Sequence, residues 1–141
     1  MRNATGSARE VLTRFYAAET EYLSPEGGDF GVMAELLDPG VAIYQADALP
    51  YSGVWRGHDG FKRWMEAFGE VWLSLEVRDP QIFESGETVF SRSTCFGVSR
   101  RTGRSVDWPL LQQIKIENGL IKEIWPFYWD TAYLLEFITP K

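Results

Sequence analysis

Cysteine and histidine are almost missing from this 141-residue chain. One Cys excludes any disulfide within it, and one His without clustered ligand spacing argues against an intrinsic zinc site. Basic residues are also in deficit, with 14 Lys and Arg against 20 Asp and Glu, net charge −6. That balance disfavours nucleic acid or an anionic membrane as partner, since both reward clustered positive charge. The one basic cluster, Arg100, Arg101 and Arg104 in "SRRTGR", reads as a solvated hairpin tip. No apolar run approaches membrane-spanning length, and "MRNATGSARE" has no apolar leader core, so the expectation is a soluble cytoplasmic protein. There is no Gly-rich phosphate loop and no G-x-S-x-G elbow. Linkers, repeats and low-complexity stretches are absent as well, which leaves a single domain over 1–141.

Aromatic residues are plentiful instead. Six Trp, six Tyr and nine Phe exceed what a small core easily covers, so some are expected to line a cavity or a subunit interface. Cys95, in "SRSTCFGV", reads as a small buried hydrophobe on a strand.

Periodicity divides the chain in two. Ser7 and Glu10 have capping-box spacing, and Val11, Leu12, Phe15, Tyr16, Glu19, Tyr22 and Leu23 follow at helical period with one polar interruption. Asp29 caps a short second helix carrying Phe30, Met33, Leu36 and Leu37, closed by "DPG". "VAIYQA" (41–46) reads as a strand and "DALPYSGVWRG" as a loop. From His58, the residues Phe61, Trp64, Met65, Phe68, Val71 and Trp72 predict a third helix with an aromatic face. The period then becomes two, with strands expected at 73–84, 87–99, 104–117 and 120–129, joined by glycine-bearing hairpins. A short helix from Asp130 ends the chain. Helices first and long antiparallel strands after them mean α+β, a curved sheet wrapped on N-terminal helices into a cone whose mouth is a natural ligand pocket.

"EIWPFYWDTAYLLEFI" (123–138) holds the most pointed chemical question. Between Glu123 and Glu136 its only charged side chain is Asp130, among Trp125, Phe127, Tyr128 and Trp129. An unpaired buried carboxylate is expensive. Asp130 is therefore a helix N-cap, a buried structural acid, or a base whose pKa an apolar cavity raises into the working range. Strand alternation puts Ile124, Pro126, Tyr128 and Asp130 on one face, assigned to the pocket, and Trp125, Phe127 and Trp129 on the other, which a second copy would cover. The hairpin register stays open. A two-residue turn at "ENGL" sets Asp107 opposite Asp130, whereas a bulge at Gly119, the preferred reading, sets Val106 there. Asp47 reads as a loop residue and His58 as a cap or surface residue.

Three stretches carry a family resemblance: "REVLTRFYAA", "YSGVWRGHDGFKRW" with its G-x-x-x-G lead into the third helix, and "IENGLIKEIWPFYWDTAYLL". Together with the order of elements they resemble the nuclear-transport-factor-2-like superfamily. The likeness is to SnoaL-like polyketide cyclases and to their ketosteroid isomerase and limonene epoxide hydrolase relatives. The resemblance implies a cone of the cystatin-like α+β barrel type. Phe15, Gln45 and Gln112 stand where the isomerases carry their tyrosine and two aspartates, and a neutral glutamine cannot abstract a proton from carbon. Asp130 stands where both the epoxide hydrolases and the SnoaL-like cyclases place an aspartate, although Arg92 lacks the acid that partners it in the hydrolases.

The resulting expectation is acid/base chemistry without a cofactor or metal on a hydrophobic, ring-containing small molecule. Asp130 serves as base beside Tyr128. Tyr16, Gln45 and Gln112 are the polar binding residues, and Trp64, Phe68, Trp72, Trp108 and Ile124 form apolar walls. The alternative is a non-catalytic ligand-binding or dimerising module of the same fold.

Overall fold

A computed structural model describes residues 7–139; positions 1–6, part of the segment read for a leader, and 140–141 lie outside the described residues. The first helix, α1 (Ala8–Tyr22), starts as its sequence dictates. Ser7 Oγ accepts from the Glu10 amide at 3.2 Å, and Glu10 Oε1 accepts from the Ser7 amide at 2.8 Å. Asp29 caps α2 (Phe30–Ala34) through a 2.9 Å bond from the Gly31 amide. Then come β1 (Leu37–Gln45), β2 (Gly53–Arg56), α3 (Gly57–Val71), β3 (Trp72–Ser85), β4 (Thr88–Ser99), β5 (Ser105–Glu117), β6 (Leu120–Tyr128) and α4 (Thr131–Ile138). The four long elements β3 to β6 fall within a residue or so of the alternating segments, because each is bounded by a tight turn.

The sheet runs β2-β1-β6-β5-β4-β3 and is antiparallel except for the β1–β6 pair. It curls without closing. Helices α1 and α3 pack against it, α1 on β3 and α3 on β1, β2 and β3, and the buried side chains form one continuous core between them. The one cysteine, Cys95, lies in that core, where burial pushes its thiol pKa up. At the β4–β5 turn Arg100, Arg101 and Arg104 are exposed as expected.

Two local expectations are corrected. "DPG" does not close α2: Leu37 already pairs with Ile121, and the Ile121 amide donates to the Leu36 carbonyl at 2.9 Å. Pro39 is accommodated in the register shift between Leu37 and Ala42, where Asp38 Oδ2 accepts from the Gly40 amide, so the strand bends and continues. The "DALPYSGVWRG" loop also holds a strand, since β2 zips onto β1 from Arg56 opposite Ala42 to Gly53 opposite Gln45.

The last hairpin fits neither register considered. Its turn is Asn118–Gly119, both at positive φ (53° and 78°), as a two-residue hairpin requires. The irregularity lies further on: Ile116 faces Ile121 but Lys115 faces Glu123, so Lys122 is the extra residue. This slip runs opposite to a bulge at Gly119. Gln112 comes to face Pro126 and Leu110 faces Tyr128, the last paired residue of β6, leaving Asp130 across from neither Asp107 nor Val106.

Candidate functional site

Helix α1 turns its Val11–Leu12–Phe15–Tyr16 face into the core, and Glu19, four residues beyond Phe15, follows on the same face. The polar interruption in the helical pattern is thus a carboxyl group carried inside. Glu19 is 7% exposed, no cation among the described residues lies against it, and burial pushes its pKa up from 4.5 to about 8. It borders an interior cavity of about 30 Å³ with Gln45 of β1, Trp64 and Phe68 of α3, Trp108 and Gln112 of β5, and Ile124 and Tyr128 of β6.

Two tyrosines orient the polar side of this cavity. The Tyr128 hydroxyl donates to Gln45 Oε1 at 3.0 Å. Behind the wall, the Tyr16 oxygen lies 2.6 Å from Gln112 Oε1 and 2.9 Å from Ser91 Oγ. A hydroxyl carries one proton, and an amide oxygen can only accept, so Tyr16 donates to Gln112 and the serine hydroxyl serves the tyrosine oxygen. Burial first, and for Tyr128 the neighbouring Tyr51 as well, hold both phenols above their ordinary pKa, so they stay protonated donors. The indole N–H groups of Trp64 and Trp108, both on the cavity wall, are buried without a partner.

Seven of the expected residues therefore meet around one cavity: Tyr128, Gln45, Trp64, Phe68, Trp108, Gln112 and Ile124. Tyr16 stands one layer out, holding Gln112. Two expectations fail. Trp72 is no part of the wall; it is wholly buried, its indole N–H donates to the Tyr51 hydroxyl at 3.1 Å, and its ring packs 4.9 Å from that of Trp108. Gly97 makes room for the pair, since a Cβ there would come within 2.8 Å of the Trp72 ring.

Asp130 lies outside the cavity. The sheet ends at Tyr128, so the alternation that assigned Asp130 to the pocket face no longer operates there. Its side chain is exposed and caps α4, with Oδ1 accepting from the Tyr133 amide at 3.0 Å. Asp47 and Asp107 are exposed too, and the His58 Nε2–H donates to the Leu37 carbonyl at 3.0 Å. Among the described residues no group of three His, Cys, Asp or Glu could hold a metal ion. None of their helices is long and apolar enough to cross a membrane.

A carboxyl group with a pKa near 8 exchanges protons at neutral pH, and an apolar, donor-lined hollow is a place where developing negative charge is stabilised. A cavity of about 30 Å³ holds a water-sized guest, since a single water needs roughly 10–15 Å³ by the same measure. Anything larger has to displace wall side chains. Tyr128 is the lining residue that is only half buried, although its hydroxyl end is enclosed.

The fold recurs in solved structures. An NTF2-like protein of unknown function from Burkholderia pseudomallei superposes with a TM-score of 0.81 at 22% identity, over 94% of this chain and 97% of that one. TerC, co-crystallised with polyporic acid, gives 0.81 at 18% identity over 94% and 98%. A Pseudomonas putida protein assigned provisionally as a polyketide cyclase gives 0.77 at 17% over 95% and 99%. Likeness at such identities establishes the fold alone. No curated protein matches the sequence. The pattern of the SnoaL-like domain matches residues 12–124, from the buried face of α1 to the cavity face of β6, and the chain accordingly belongs to the SnoaL-like domain family.

Proposed function

We propose that this protein binds a hydrophobic, ring-containing small molecule in the cone, the wall side chains around the cavity of about 30 Å³ moving apart to admit it, and moves a proton on it, with Glu19 as the acid/base group. The observation that carries this reading is the buried Glu19 carboxyl, facing the cavity with its pKa raised to about 8 and no cation to neutralise it. Such a group is unfavourable for folding alone and well matched to proton exchange. Asp130, the acid to which the family resemblance points, is exposed and engaged as a cap, so Glu19 takes its place in the reading. The polyketide-cyclase assignment of one structural neighbour and the small-molecule co-crystal of another support an organic guest. The reaction belongs to the cyclisation, isomerisation, dehydration or epoxide-opening type, and its proton steps need no cofactor.

Deuterium incorporation into the methyl group of acetophenone, a minimal ketone, tests the proposal. Wild type and Asp130→Asn should accelerate exchange alike, while Glu19→Gln, which keeps shape and loses the titrating group, should fall to background. Equal rates in wild type and Glu19→Gln would remove the proton-transfer role.

A second reading, a dimerising module of the same fold, rests on the outer sheet face. Trp125 and Phe127 are exposed there, Trp129 just past the end of β6 is 82% exposed, and Trp125 stacks on Tyr44 at 3.7 Å. A homodimer through this face would cover the stripe. Sedimentation equilibrium should show a concentration-dependent dimer that Phe127→Glu dissociates; a wild-type monomer at every concentration would end that reading.

A further inference from the structure

Apart from the Glu19 carboxyl, the hydrogen-bonding groups that the cavity lining leaves free are donors. The oxygen of Gln45 is occupied by Tyr128 and that of Gln112 by Tyr16. An amide whose oxygen is fixed in this way turns its NH₂ elsewhere, and among the described residues neither NH₂ has a hydrogen-bond partner in the protein. The indole N–H groups of Trp64 and Trp108 are also unpartnered, on residues that are each 3% exposed. Each of the two buried indole groups costs about 1–3 kcal/mol while unpaired. With the two amide NH₂ groups beside them, the wall has several donors to offer a guest. Among the described residues no Lys, Arg or His lines the cavity, and the titratable groups near Glu19, Cys95 and Tyr128 in the lining and Tyr16 behind it, are neutral. A carboxylate or phosphate end on the guest would therefore be desolvated with no cation to meet it.

We infer that Gln45 and Gln112 are specificity-determining donors, held in orientation by Tyr128 and Tyr16, and that they select a neutral guest whose polar end is a carbonyl oxygen. The inference rests on the cavity being the ligand site, as proposed above, and not on any proton transfer there. Tyr128 and Tyr16 act as positioning residues. With its hydroxyl partner gone, a glutamine amide can rotate and offer its oxygen, and the preference for an acceptor is lost.

Three small probes of matched shape test it: acetophenone, which only accepts; 1-phenylethanol, which also donates; and α-methylstyrene, which does neither. Binding is read by tryptophan fluorescence and ligand-observed NMR. Wild type should bind the ketone about tenfold or more tightly than either analogue, the equivalent of roughly one good hydrogen bond. Gln45→Met and Gln112→Met should lower ketone affinity by about that factor and leave α-methylstyrene unchanged, with circular dichroism reporting the intact fold. Tyr128→Phe should shrink the ketone-to-alcohol ratio, a change that simple loss of packing would not produce.

Three outcomes would overturn the assignment. One is a preference for the alcohol, the mark of amides turned the other way. Another is a ratio untouched by all three substitutions. The third is no binding of any probe, which would remove the ligand site as well. Ketone selectivity without deuterium exchange would leave this inference standing and remove only the proton-transfer reading.

Discussion

Glu19→Gln is expected to stabilise the protein above pH 8 by roughly 5 kcal/mol and to flatten the dependence of its stability on pH. The folded-state pKa of Glu19 is raised from 4.5 to about 8 by burial. Below 4.5 the carboxyl is protonated in both folded and unfolded chains and favours neither. As pH rises from 4.5 towards 8, the unfolded chain releases its proton while the folded one retains it, so folding stability falls throughout that window. Above about 8 the full penalty is present. A shift of that size, at about 1.4 kcal/mol per pKa unit, gives the roughly 5 kcal/mol. Glutamine has nearly the same shape and never ionises, so the difference between the two unfolding curves isolates this one group. Urea unfolding of both proteins at a series of pH values across the window provides the measurement. Curves that stay parallel from end to end would mean that Glu19 ionises in the folded protein as easily as in water, and the buried-acid reading would be lost. Natural proteins have overall stabilities of about 5–15 kcal/mol, so a penalty this large is a strong reason to look for compensation in function.

Trp72→Ala is expected to cost about 4 kcal/mol and to loosen the cavity wall although Trp72 does not line it. The ring is wholly buried, tilted against Trp108 at 4.9 Å and near Phe68 at 6.4 Å, with Gly97 cut away to admit it. Large-to-small changes at such sites lose both transfer energy and packing, about 3–5 kcal/mol for a Trp or Phe. The Tyr51 hydroxyl also loses the indole N–H that it accepts. Trp108 then has empty space behind it, so the near-ultraviolet circular dichroism should weaken along with the denaturation midpoint. Trp64→Phe provides the contrast. Its indole N–H has no partner, so removing that group sacrifices no protein hydrogen bond, and the cost should be about 1 kcal/mol or less. Similar losses for Trp72→Phe and Trp64→Phe would contradict the division between core and wall.

What could be read directly from the chain is local in origin. The Ser7–Glu10 box, the Asp29 cap and the alternation of Ile124, Pro126 and Tyr128 each depend on residues a few positions apart. Those interactions are the same in any tertiary setting. The inner face of β6 and the aromatic face of α3 followed from the two periods, 2.0 and 3.6, which say which side chains share a face, whereas Gln112 of β5 was expected from the family resemblance.

Tertiary structure decided the rest, because it depends on partners far along the chain. Leu37 starts a strand only because Ile121 is there to pair with it, and Gly53–Arg56 only because β1 offers an edge. Trp72 and Trp64 look alike at helical spacing, yet Gly97 and Tyr51 draw the first into the core. Asp130 kept the local half of its reading, the cap, and lost the part that assumed the strand ran two residues further. Glu19 was visible as a polar break in an apolar face. That it would be sealed in beside strands β4 and β5, with no cation to meet it, is a matter of how the sheet curls over α1, and burial of a charge is a property of the whole enclosure.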